Sequence, residues 1–243
     1  MRLIPAFGLI AALVLATAAC GQTGPAKSAQ AVGGDQIRAY ILEHPEIIEE
    51  AMGKLQAKRQ ADADAQLRVA LAQNRSKIDR DPRDFVAGNP DGKITVVEFF
   101  DYRCPYCKAA LPEIQKLVAT NKDVRFVLKE FPILSQESES AARAAIAAKA
   151  QGKYWPVHQA LLAEKNLDDA AIERILKANG VDMAKAKADA VLKSTTAQIE
   201  ETHALAKASG VTGTPAFVIG DKMISGWVPA EVQAGIAAAR KAG

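Results

Sequence analysis

The cysteine pair Cys104 and Cys107 constrains this chain more than any other feature. The two stand in the tetrapeptide Cys-Pro-Tyr-Cys, directly after an apolar, strand-like run at 94–100 and at the start of a helix-like run at 108–119. A helix N-terminus carries partial positive charge and free N–H groups, so it stabilises a thiolate at Cys104. Cys107 follows one turn later, close enough to form a disulfide with Cys104. The spacing therefore predicts a strand–turn–helix unit whose two sulfurs take part in thiol–disulfide exchange.

The composition is that of a globular protein without a preference for nucleic acid. Of the 243 residues, 49% are hydrophobic and 24% are charged, which are ordinary values for a folded domain. The 31 basic and 28 acidic residues leave a net charge of +3, and the sequence contains no dense run of Lys and Arg. We therefore expect no nucleic-acid partner.

Residues 1–19 are predicted to be a signal peptide. Arg2 supplies positive charge, residues 3–15 form an apolar run, and residues 16–19 are small. The apolar run is too short, and too soon followed by polar sequence, for a comfortable membrane span. These features predict export from a bacterial cytoplasm to the periplasm.

Two processing routes remain open at the N-terminus. Signal peptidase would cut at the small residues around Ala16 and Ala18, whereas Thr17-Ala18-Ala19-Cys20 resembles a lipobox, in which Cys20 becomes the lipidated first residue. Thr17 departs from the leucine that is usual at its position in a lipobox. Three cysteines leave one odd thiol in an oxidising compartment, and lipidation of Cys20 would remove it. We favour lipidation, with a free or cleaved-off Cys20 as the alternative.

The rest of the chain divides into a tether, a helical region and a larger domain. Residues 20–34 are rich in Gly, Ala, Ser and Gln, which predicts a flexible tether. Residues 35–82 predict an N-terminal helical oligomerisation region of two helices, the first capped by Asp35 and the second starting at Pro45. Residues 83–243 predict the domain that carries the cysteine pair.

The helical region carries an apolar stripe at heptad-like spacing. Its members alternate spacings of four and three residues: Ile37, Ile41, His44, Ile48, Ala51 and Leu55. A weaker second stripe consists of Leu67, Leu71 and Ile78. A helix from Pro45 to Ile78 would be about 50 Å long, too long to bury its apolar side on a small domain along its whole length. We therefore expect self-association through the first stripe; the alternative is a helix folded back onto the catalytic domain.

From residue 94 onward, the predicted elements follow the order βαβ, an all-helical insertion at about 136–209, and ββα. The predicted strands are 94–100, 124–129, 216–219 and 223–225, and the predicted helices that accompany them are 104–120 and 228–242. The βαβ unit implies two parallel strands joined by a right-handed crossover.

With this order of elements, the chain resembles a DsbA-like thiol:disulfide interchange protein from about Phe85 to its C-terminus. Four features carry the resemblance: the Cys-Pro-Tyr-Cys motif after a strand, Glu98 six residues before Cys104, the helical insertion, and Gly210-Val-Thr-Gly-Thr214-Pro215, which matches the family's cis-proline loop. The resemblance implies an α/β thioredoxin fold with a helical insertion, preceded here by the N-terminal helical arm. It implies no bound cofactor.

The resemblance also assigns roles to the residues of the motifs. Cys104 is expected to be an exposed nucleophile, with a pKa of about 3.5 to 7 as in this family, and Cys107 the more buried thiol that resolves the mixed disulfide. Glu98 is expected to be a buried acid with a raised pKa that exchanges a proton with Cys107. A solvated glutamate at the strand end is the alternative.

Substrate contacts are predicted around the two cysteines. Pro105 stands at the first helical turn, where its missing N–H is not needed. Tyr106 is expected to face outward between the cysteines and to tune the hydrogen bonding of the Cys104 sulfur. The Thr214–Pro215 bond is expected to be cis and to lie opposite the cysteines, where the Thr214 backbone would pair with an extended substrate peptide. An ordinary trans turn is the alternative.

Other interpretations of the cysteine pair have less support. A structural zinc site needs four ligands, and His44, His158 and His203 stand at no recognisable spacing, so no metal is expected. A structural disulfide across so short a loop would gain little unfolded-state entropy. Glutaredoxins contain the same four letters but lack the helical insertion. His158 and His203 are expected on helix surfaces or in packing.

The helical region bears on the direction of electron flow. Residues 41–56 resemble the oligomerisation segment of ScsC-like proteins, which hold several thioredoxin domains around one space. This resemblance implies a homo-oligomer acting on unfolded or misoxidised envelope proteins, with isomerase activity slightly favoured and a DsbD-like membrane partner. A DsbA-type dithiol oxidase with a DsbB-like partner is the alternative. A copper-handling protein that binds Cu(I) through Cys104 and Cys107 is another.

Overall fold

The computed structural model describes residues 33–242. The predicted signal peptide, the lipidation site Cys20 and nearly all of the predicted tether lie outside the described residues. Within 33–242, the chain forms nine helices and a five-stranded sheet. None of the helices in this part of the chain is long and apolar enough to cross a bilayer. The chain divides between Gln56 and Ala57 into two compact units.

The N-terminal unit is helical. Helix α1 spans Gly34–Glu43, and helix α2 begins at Glu46, so Pro45 lies between the two helices. The N-cap of α1 is Gly33 and not the predicted Asp35. The helix starts earlier because Gly33 donates its N–H to the Gln36 side chain at 3.2 Å. No described residue up to Gln56 is buried, so this part of the unit has no core of its own.

Helix α2 ends at Arg80, and its second half packs on the sheet of the larger unit. Leu71 and Ile78, which belong to the second predicted stripe, are fully buried in one cluster with Val97 and Phe99. This half of the helix therefore folds back onto the sheet, which is the alternative to self-association that the sequence also allows. The larger compact unit accordingly includes residues from Ala57 onward.

The sheet has the strand order β1-β3-β2-β4-β5. Its strands are β1 (Phe85–Gly88), β2 (Ile94–Phe100), β3 (Val124–Glu130), β4 (Ala216–Ile219) and β5 (Lys222–Ser225). Strands β2 and β3 are parallel, as predicted, and β4 is antiparallel to both β2 and β5. The edge strand β1 is absent from the predicted elements. It is only four residues long, and it is fixed by antiparallel pairing with β3, a contact between distant residues.

Helices cover both faces of the sheet. In chain order they are α3 (Pro105–Thr120), α4 (Gln136–Lys149), α5 (Tyr154–Ala163), α6 (Asp169–Ala178), α7 (Met183–Ala190), α8 (Lys193–Ala208) and α9 (Pro229–Ala242). The insertion between β3 and β4 is helical, as predicted. The last part of the insertion is divided into α7 and α8 at Leu192, whose extended backbone begins α8.

Strand β2 is buried on both faces. Its side chains alternate between the two faces of the sheet, and this alternation decides on which face Glu98 lies. Val96 and Phe100 belong to the cluster that includes α3, whereas Val97 and Phe99 belong to the cluster that includes α2 and α8. Side chains two positions apart on a strand share a face. Glu98 therefore lies on the side of the sheet that carries the cysteine helix.

Candidate active site

The cysteine pair lies at the start of α3, directly behind strand β2. Cys104 is the N-cap of α3 with an extended backbone, and Pro105 occupies the first helical position. The N–H of Lys108 donates to the Cys104 carbonyl at 3.1 Å and closes the first turn. Proline needs no N–H partner at this position, and its fixed φ suits the helix. The predicted strand–turn–helix unit is confirmed, with both thiols of the pair free.

Cys104 is less exposed than predicted. Only 3% of the residue is accessible. The Thr214 loop comes close to the sulfur: the Thr214 carbonyl oxygen lies 3.2 Å from the Cys104 sulfur and accepts a hydrogen bond from the thiol when that thiol is protonated. The expectation of an exposed nucleophile is therefore wrong, since this loop, more than a hundred residues away in the sequence, lies against the sulfur.

Hydrogen bonds lower the pKa of Cys104 to about 5. The largest effect comes from the Cys107 thiol, which donates to the Cys104 thiolate. The Thr214 side chain and the backbone N–H groups of the first turn of α3 act in the same direction, while burial opposes them. Cys104 is therefore ionised at neutral pH, and the thiolate is the form that attacks disulfides.

Cys107 has the opposite environment. It is fully buried, and this burial raises its pKa far above the ordinary value. The hydrogen bond that it donates to Cys104 and the charge of Glu98 raise the pKa further. The proton therefore stays on Cys107 while Cys104 is ionised. One sulfur is ready to attack, and the other must first lose a proton.

Glu98 is a buried acid on the same side of the sheet. It is 1% exposed, and among the described residues neither carboxyl oxygen has a hydrogen-bond partner. Burial raises its pKa to about 8, with a further contribution from the charge of Cys104. The predicted burial and raised pKa are confirmed, and the solvated alternative is wrong. An unpaired carboxyl in this position is largely protonated at neutral pH and is available for proton transfer.

Asp101 is a second buried acid, to which no motif in the sequence points. It lies between β2 and Cys104 and is 1% exposed. Four donors surround its carboxylate at 2.7 to 3.0 Å: the backbone N–H groups of Arg103, Ile133 and Leu134 and the hydroxyl of Ser138. Its carbonyl accepts the N–H of Cys104 at 3.1 Å. The only sequence signal is an acid at the end of a buried strand, three positions before the first cysteine.

A third buried acid joins the end of β3 to α5. Glu130 Oε1 accepts hydrogen bonds from the Tyr102 hydroxyl at 3.0 Å and the Tyr154 hydroxyl at 2.6 Å. His158 Nδ1 lies 3.1 Å from the Tyr102 hydroxyl. Burial raises the pKa of Glu130 to about 8 and lowers the pKa of His158 to about 3. His158 is thus a neutral packing residue, and Tyr102 connects the segment before Cys104 to the helical insertion.

The other predicted site residues surround the pair. Tyr106 is 67% exposed and faces outward, as predicted, and Pro105 is also exposed. The Thr214–Pro215 bond is cis, as predicted. The structure therefore places all the predicted site residues around the cysteine pair except Cys20, which lies outside the described residues.

Two families match this chain. The DSBA-like thioredoxin domain matches residues 95–235, and the Copper resistance protein ScsC N-terminal domain matches residues 34–62. The first match covers more than half of the chain and includes both cysteines. The chain therefore belongs to the DsbA-like thioredoxin-domain family, and an ScsC-type N-terminal domain precedes this domain.

Solved structures support the same class, and a curated relative of a different description aligns with part of the chain. A thioredoxin-like oxidoreductase from Silicibacter pomeroyi DSS-3 is 42% identical, with a TM-score of 0.68 over 70% of this chain and 99% of that one. The catalytic domain of Proteus mirabilis ScsC is 28% identical, with a TM-score of 0.65 over 71% and 97% of the two chains. The Na(+)/H(+) antiporter NhaA 3 of Salinispora tropica is 32% identical over 140 residues, 56% of this chain. The present chain spans only 22% of that antiporter's length.

Proposed function

We propose that this chain is an exported thiol:disulfide interchange protein that exchanges disulfides with envelope proteins, its clients. The carrying observation is the placement of the two thiols, with Cys104 at the N-cap of α3 and Cys107 fully buried in the first turn of that helix. This placement lowers the pKa of Cys104 to about 5 and raises the pKa of Cys107. At neutral pH, Cys104 is then a thiolate that can attack, whereas Cys107 stays a protonated thiol until it resolves the mixed disulfide. This is the arrangement that exchange through a mixed disulfide requires.

The exchange proceeds in two steps. The Cys104 thiolate attacks one sulfur of a client disulfide, the client S–S bond breaks, and the other client sulfur leaves as a thiolate. The mixed disulfide then has two fates. Either a client thiolate attacks it and returns Cys104 as a thiolate, which rearranges the client, or Cys107 attacks the Cys104 sulfur, which reduces the client and oxidises the pair. The reverse of the second route oxidises a client dithiol.

Glu98 serves as the proton acceptor for Cys107 in this proposal. Cys107 must lose its proton before it attacks, and a carboxyl with a pKa of about 8 is partly ionised near neutral pH. In the reverse direction, the protonated carboxyl returns the proton to the Cys107 sulfur. Replacing Glu98 by Gln is expected to slow exchange at neutral pH. An unchanged rate–pH profile in the variant would show that the proton takes another route.

The N-terminal unit favours isomerisation slightly over simple dithiol oxidation. Its exposed large apolar side chains are Ile37, Tyr40, Leu42, Ile48, Met52 and Leu55. Such a set is stabilised when another surface covers it, and a second copy of the chain is the surface that the resemblance to ScsC-like proteins implies. Several exchange sites would then act on one client. An isomerase must be kept reduced, so its membrane partner would be DsbD-like; a dithiol oxidase would instead need a DsbB-like partner.

The proposed compartment is the periplasm, with an anchor at Cys20. Export would use residues 1–19, and lipidation of Cys20 would hold the protein at a membrane. Mass spectrometry of the mature N-terminus is expected to show a lipidated Cys20. An unmodified chain that begins at Ala19 or Cys20 would rule out the anchor and leave the exchange proposal intact.

Trapping in living cells tests the exchange function. In Cys107→Ala, the mixed disulfide on Cys104 cannot be resolved by the second thiol, so adducts with client proteins are expected to accumulate. The matched control, Cys104→Ser combined with Cys107→Ala, is expected to form none. Equal adducts in both variants, or none in either, would overturn the function. The trapped redox partner also distinguishes a DsbD-like from a DsbB-like protein.

Copper handling is the second candidate function. The description of the matching N-terminal domain as part of a copper resistance protein favours it, and two thiols are soft ligands suited to Cu(I). Titration of the reduced protein with Cu(I) would show binding that Cys104→Ser abolishes. Absence of binding by the reduced protein would remove this candidate.

A further inference from the structure

The turn between α7 and α8 presents two adjacent aliphatic side chains to solvent. Val191 is 76% exposed and Leu192 is 48% exposed. Among the described residues, no other large hydrophobic residue is as exposed as Val191. We call this pair the insertion tip, because it lies in the helical insertion. None of the predicted site residues belongs to this turn, so the exchange chemistry gives no reason for its exposure.

Hydrogen bonds fix the backbone of the turn. The Arg143 side chain, from α4, donates to the Ala190 carbonyl at 3.0 Å. The Asp189 carbonyl accepts the Thr195 hydroxyl at 2.8 Å and the N–H of Leu192 at 3.2 Å. The two aliphatic side chains are therefore presented by an ordered turn, and a partner that lands on them does not have to order it first.

Leu192 occupies a position at which a polar residue would stabilise the fold. It is the N-cap of α8, and its side chain makes no hydrogen bond to the helix. Three other helices of the insertion, α4, α6 and α7, have N-cap side chains that accept a backbone N–H, those of Ser135, Asp168 and Asp182. Such residues are strongly preferred at an N-cap over leucine. Sequences break local rules mainly at functional positions, so the exposed Leu192 points to a partner.

An apolar groove continues from the insertion tip. It begins beside Val191, has a volume of about 240 Å³ and is lined by α4, α6 and α7. Its largest apolar lining residues are Ile172, Leu176 and Met183. Single exposed aliphatic residues are ordinary on protein surfaces, whereas a contiguous apolar patch marks an interaction site.

Lysines flank the insertion tip. Lys193 follows the tip directly, Lys187 borders its groove, and both residues are exposed. Lys187 lies 4.0 Å from Glu173, which is itself paired with Lys177 at 2.7 Å. Asp189, two residues before the tip, has one carboxyl oxygen buried in the protein. The surroundings of the tip therefore carry more accessible positive than negative charge.

An aliphatic pair between lysines matches the surface of an anionic bilayer. The head groups attract the lysines, and the aliphatic side chains lose contact with water when they enter the interface. We propose that the insertion tip docks on an anionic phospholipid bilayer, with its two aliphatic side chains in the interface and Lys187 and Lys193 against the head groups. This contact is additional to the anchor proposed at Cys20 and does not depend on the exchange function.

Co-sedimentation with vesicles tests the proposal on the full mature chain. The chain carries Cys20→Ser, so that no lipid on Cys20 holds it to the vesicles. Vesicles of phosphatidylcholine with about one-third phosphatidylglycerol are compared with vesicles of phosphatidylcholine alone. We expect partition into the anionic vesicles to be about tenfold stronger and to weaken as salt is added. Equal partition into the two kinds of vesicle, or none into either, would overturn the proposal.

Substitution of both aliphatic residues locates the contact. Val191→Ser with Leu192→Ser is expected to weaken partition into the anionic vesicles about tenfold, because the burial of two aliphatic side chains is lost. Serine is a favourable N-cap, so α8 should keep its stability. The matched control for Val191→Ser alone is Val69→Ser, at a valine of α2 that is 56% exposed. Partition that survives in the double variant, or that falls equally in the Val69 control, would contradict the proposal.

Substitution of the two lysines tests the electrostatic part. Lys187→Gln with Lys193→Gln is expected to reduce the preference for anionic over neutral vesicles to less than about threefold. The matched control, Lys116→Gln with Lys122→Gln, removes the same charge at two exposed lysines outside the insertion and should keep the preference. An equal loss in both variants would mean that the net charge of the chain, and not the tip, attracts the vesicles.

Two further readouts separate this inference from its neighbours. The rate with a small aryl disulfide should stay within about twofold of wild type in the Val191 and Leu192 variant, because the tip contains no residue of the cysteine site. Light scattering of the same variant should give the mass of wild type. A smaller mass would show that a second copy of the chain covers the tip, and it would overturn docking on a bilayer.

Discussion

The two apolar stripes of the N-terminal helices have opposite environments. In the residues up to Gln56, large apolar side chains such as Ile48 and Leu55 remain exposed. In the larger unit, Leu71 and Ile78 are completely buried against a sheet. Both stripes have helical spacing, so the pattern alone predicts an apolar face and does not say what covers it. The difference suggests that the second stripe stabilises the fold, whereas the first is available for assembly.

The largest expected effect is a difference between the two stripes in how much a substitution lowers the free energy of unfolding. Leu71→Ala should lower the free energy of unfolding by about 3 kcal/mol, because it leaves a cavity in a closely packed cluster. Ile48→Ala should change it by less than about 0.5 kcal/mol at low protein concentration, because the side chain is already half exposed. Chemical denaturation of the two variants provides the measurement. Similar losses would mean that both stripes are buried in the folded chain.

The second expected effect concerns the acids that the larger unit buries. Glu98 ionises with the ordinary pKa of a glutamate, 4.5, when the chain is unfolded, but with a pKa of about 8 when it is folded. Between these values the folded state holds a proton that the unfolded state has lost, so stability falls as the pH rises. Wild type should lose about 2 kcal/mol relative to Glu98→Gln between pH 5.5 and pH 7. Glu130 also has a raised pKa but is present in both proteins, so its contribution cancels.

Denaturation of both proteins across this pH range gives the difference directly. Parallel stability curves for wild type and Glu98→Gln would mean that Glu98 is ionised in the folded protein. Glu130→Gln provides a second comparison, because its carboxyl has a similar pKa but accepts hydrogen bonds from two tyrosines.

A third test applies to the exposed stripe. Leu55→Asp should reduce the mass in light scattering to that of one chain, because it places a charge on the proposed contact. Reactivation of scrambled ribonuclease should fall by about tenfold as multivalent action is lost, while exchange with a small disulfide is unchanged. The neighbouring Gln56→Asp introduces the same residue outside the stripe and should have neither effect. A monomeric wild type would remove the main support for isomerase activity.

The smallest expected effect concerns the polar cluster around Glu130. Tyr154→Phe removes one of the two hydroxyl groups that donate to Glu130. The loss of one buried hydrogen bond should cost about 1 kcal/mol of stability. His44→Ala, at the end of α1, should cost less, because His44 is partly exposed and its side chain contacts Glu46 and Tyr40, which are both exposed. A cost above that of Leu71→Ala would show that this cluster, and not the apolar core, dominates stability.

The sequence predicts those parts of the fold that depend on local patterns. The strand before Cys104, the helix after it and the helical insertion follow from apolar runs, capping and alanine-rich segments. The edge strand β1 and the burial of Cys104 depend on contacts with β3 and with the Thr214 loop, which are distant in sequence. The pairing of β1 with β3 leaves no signal at either strand, and the motif at Thr214 predicts that the loop faces the cysteines but not that it covers the Cys104 sulfur.

In the candidate site, too, some residues can be predicted from local patterns and others depend on contacts between distant residues. The cysteine motif and the resemblance to the DsbA-like family identify Cys104, Cys107 and Glu98, and the structure brings these residues together. Asp101 could not be assigned, because its role depends on donors in the loop 131–135 and on Ser138, whose approach follows from the pairing of β2 with β3. A carboxylate acquires a specific role from its partners, and those partners become visible only in three dimensions.

The ionisation of Cys104 tests the central claim most directly. In the reduced protein, the ultraviolet absorbance of the thiolate can be followed as a function of pH, with Cys104→Ser as the blank. Hydrogen bonds from the Cys107 thiol and the Thr214 side chain predict a transition at about pH 5. A transition near 8.5, the pKa of an ordinary cysteine, would contradict the account, because the two sulfurs would then share the same protonation state at neutral pH.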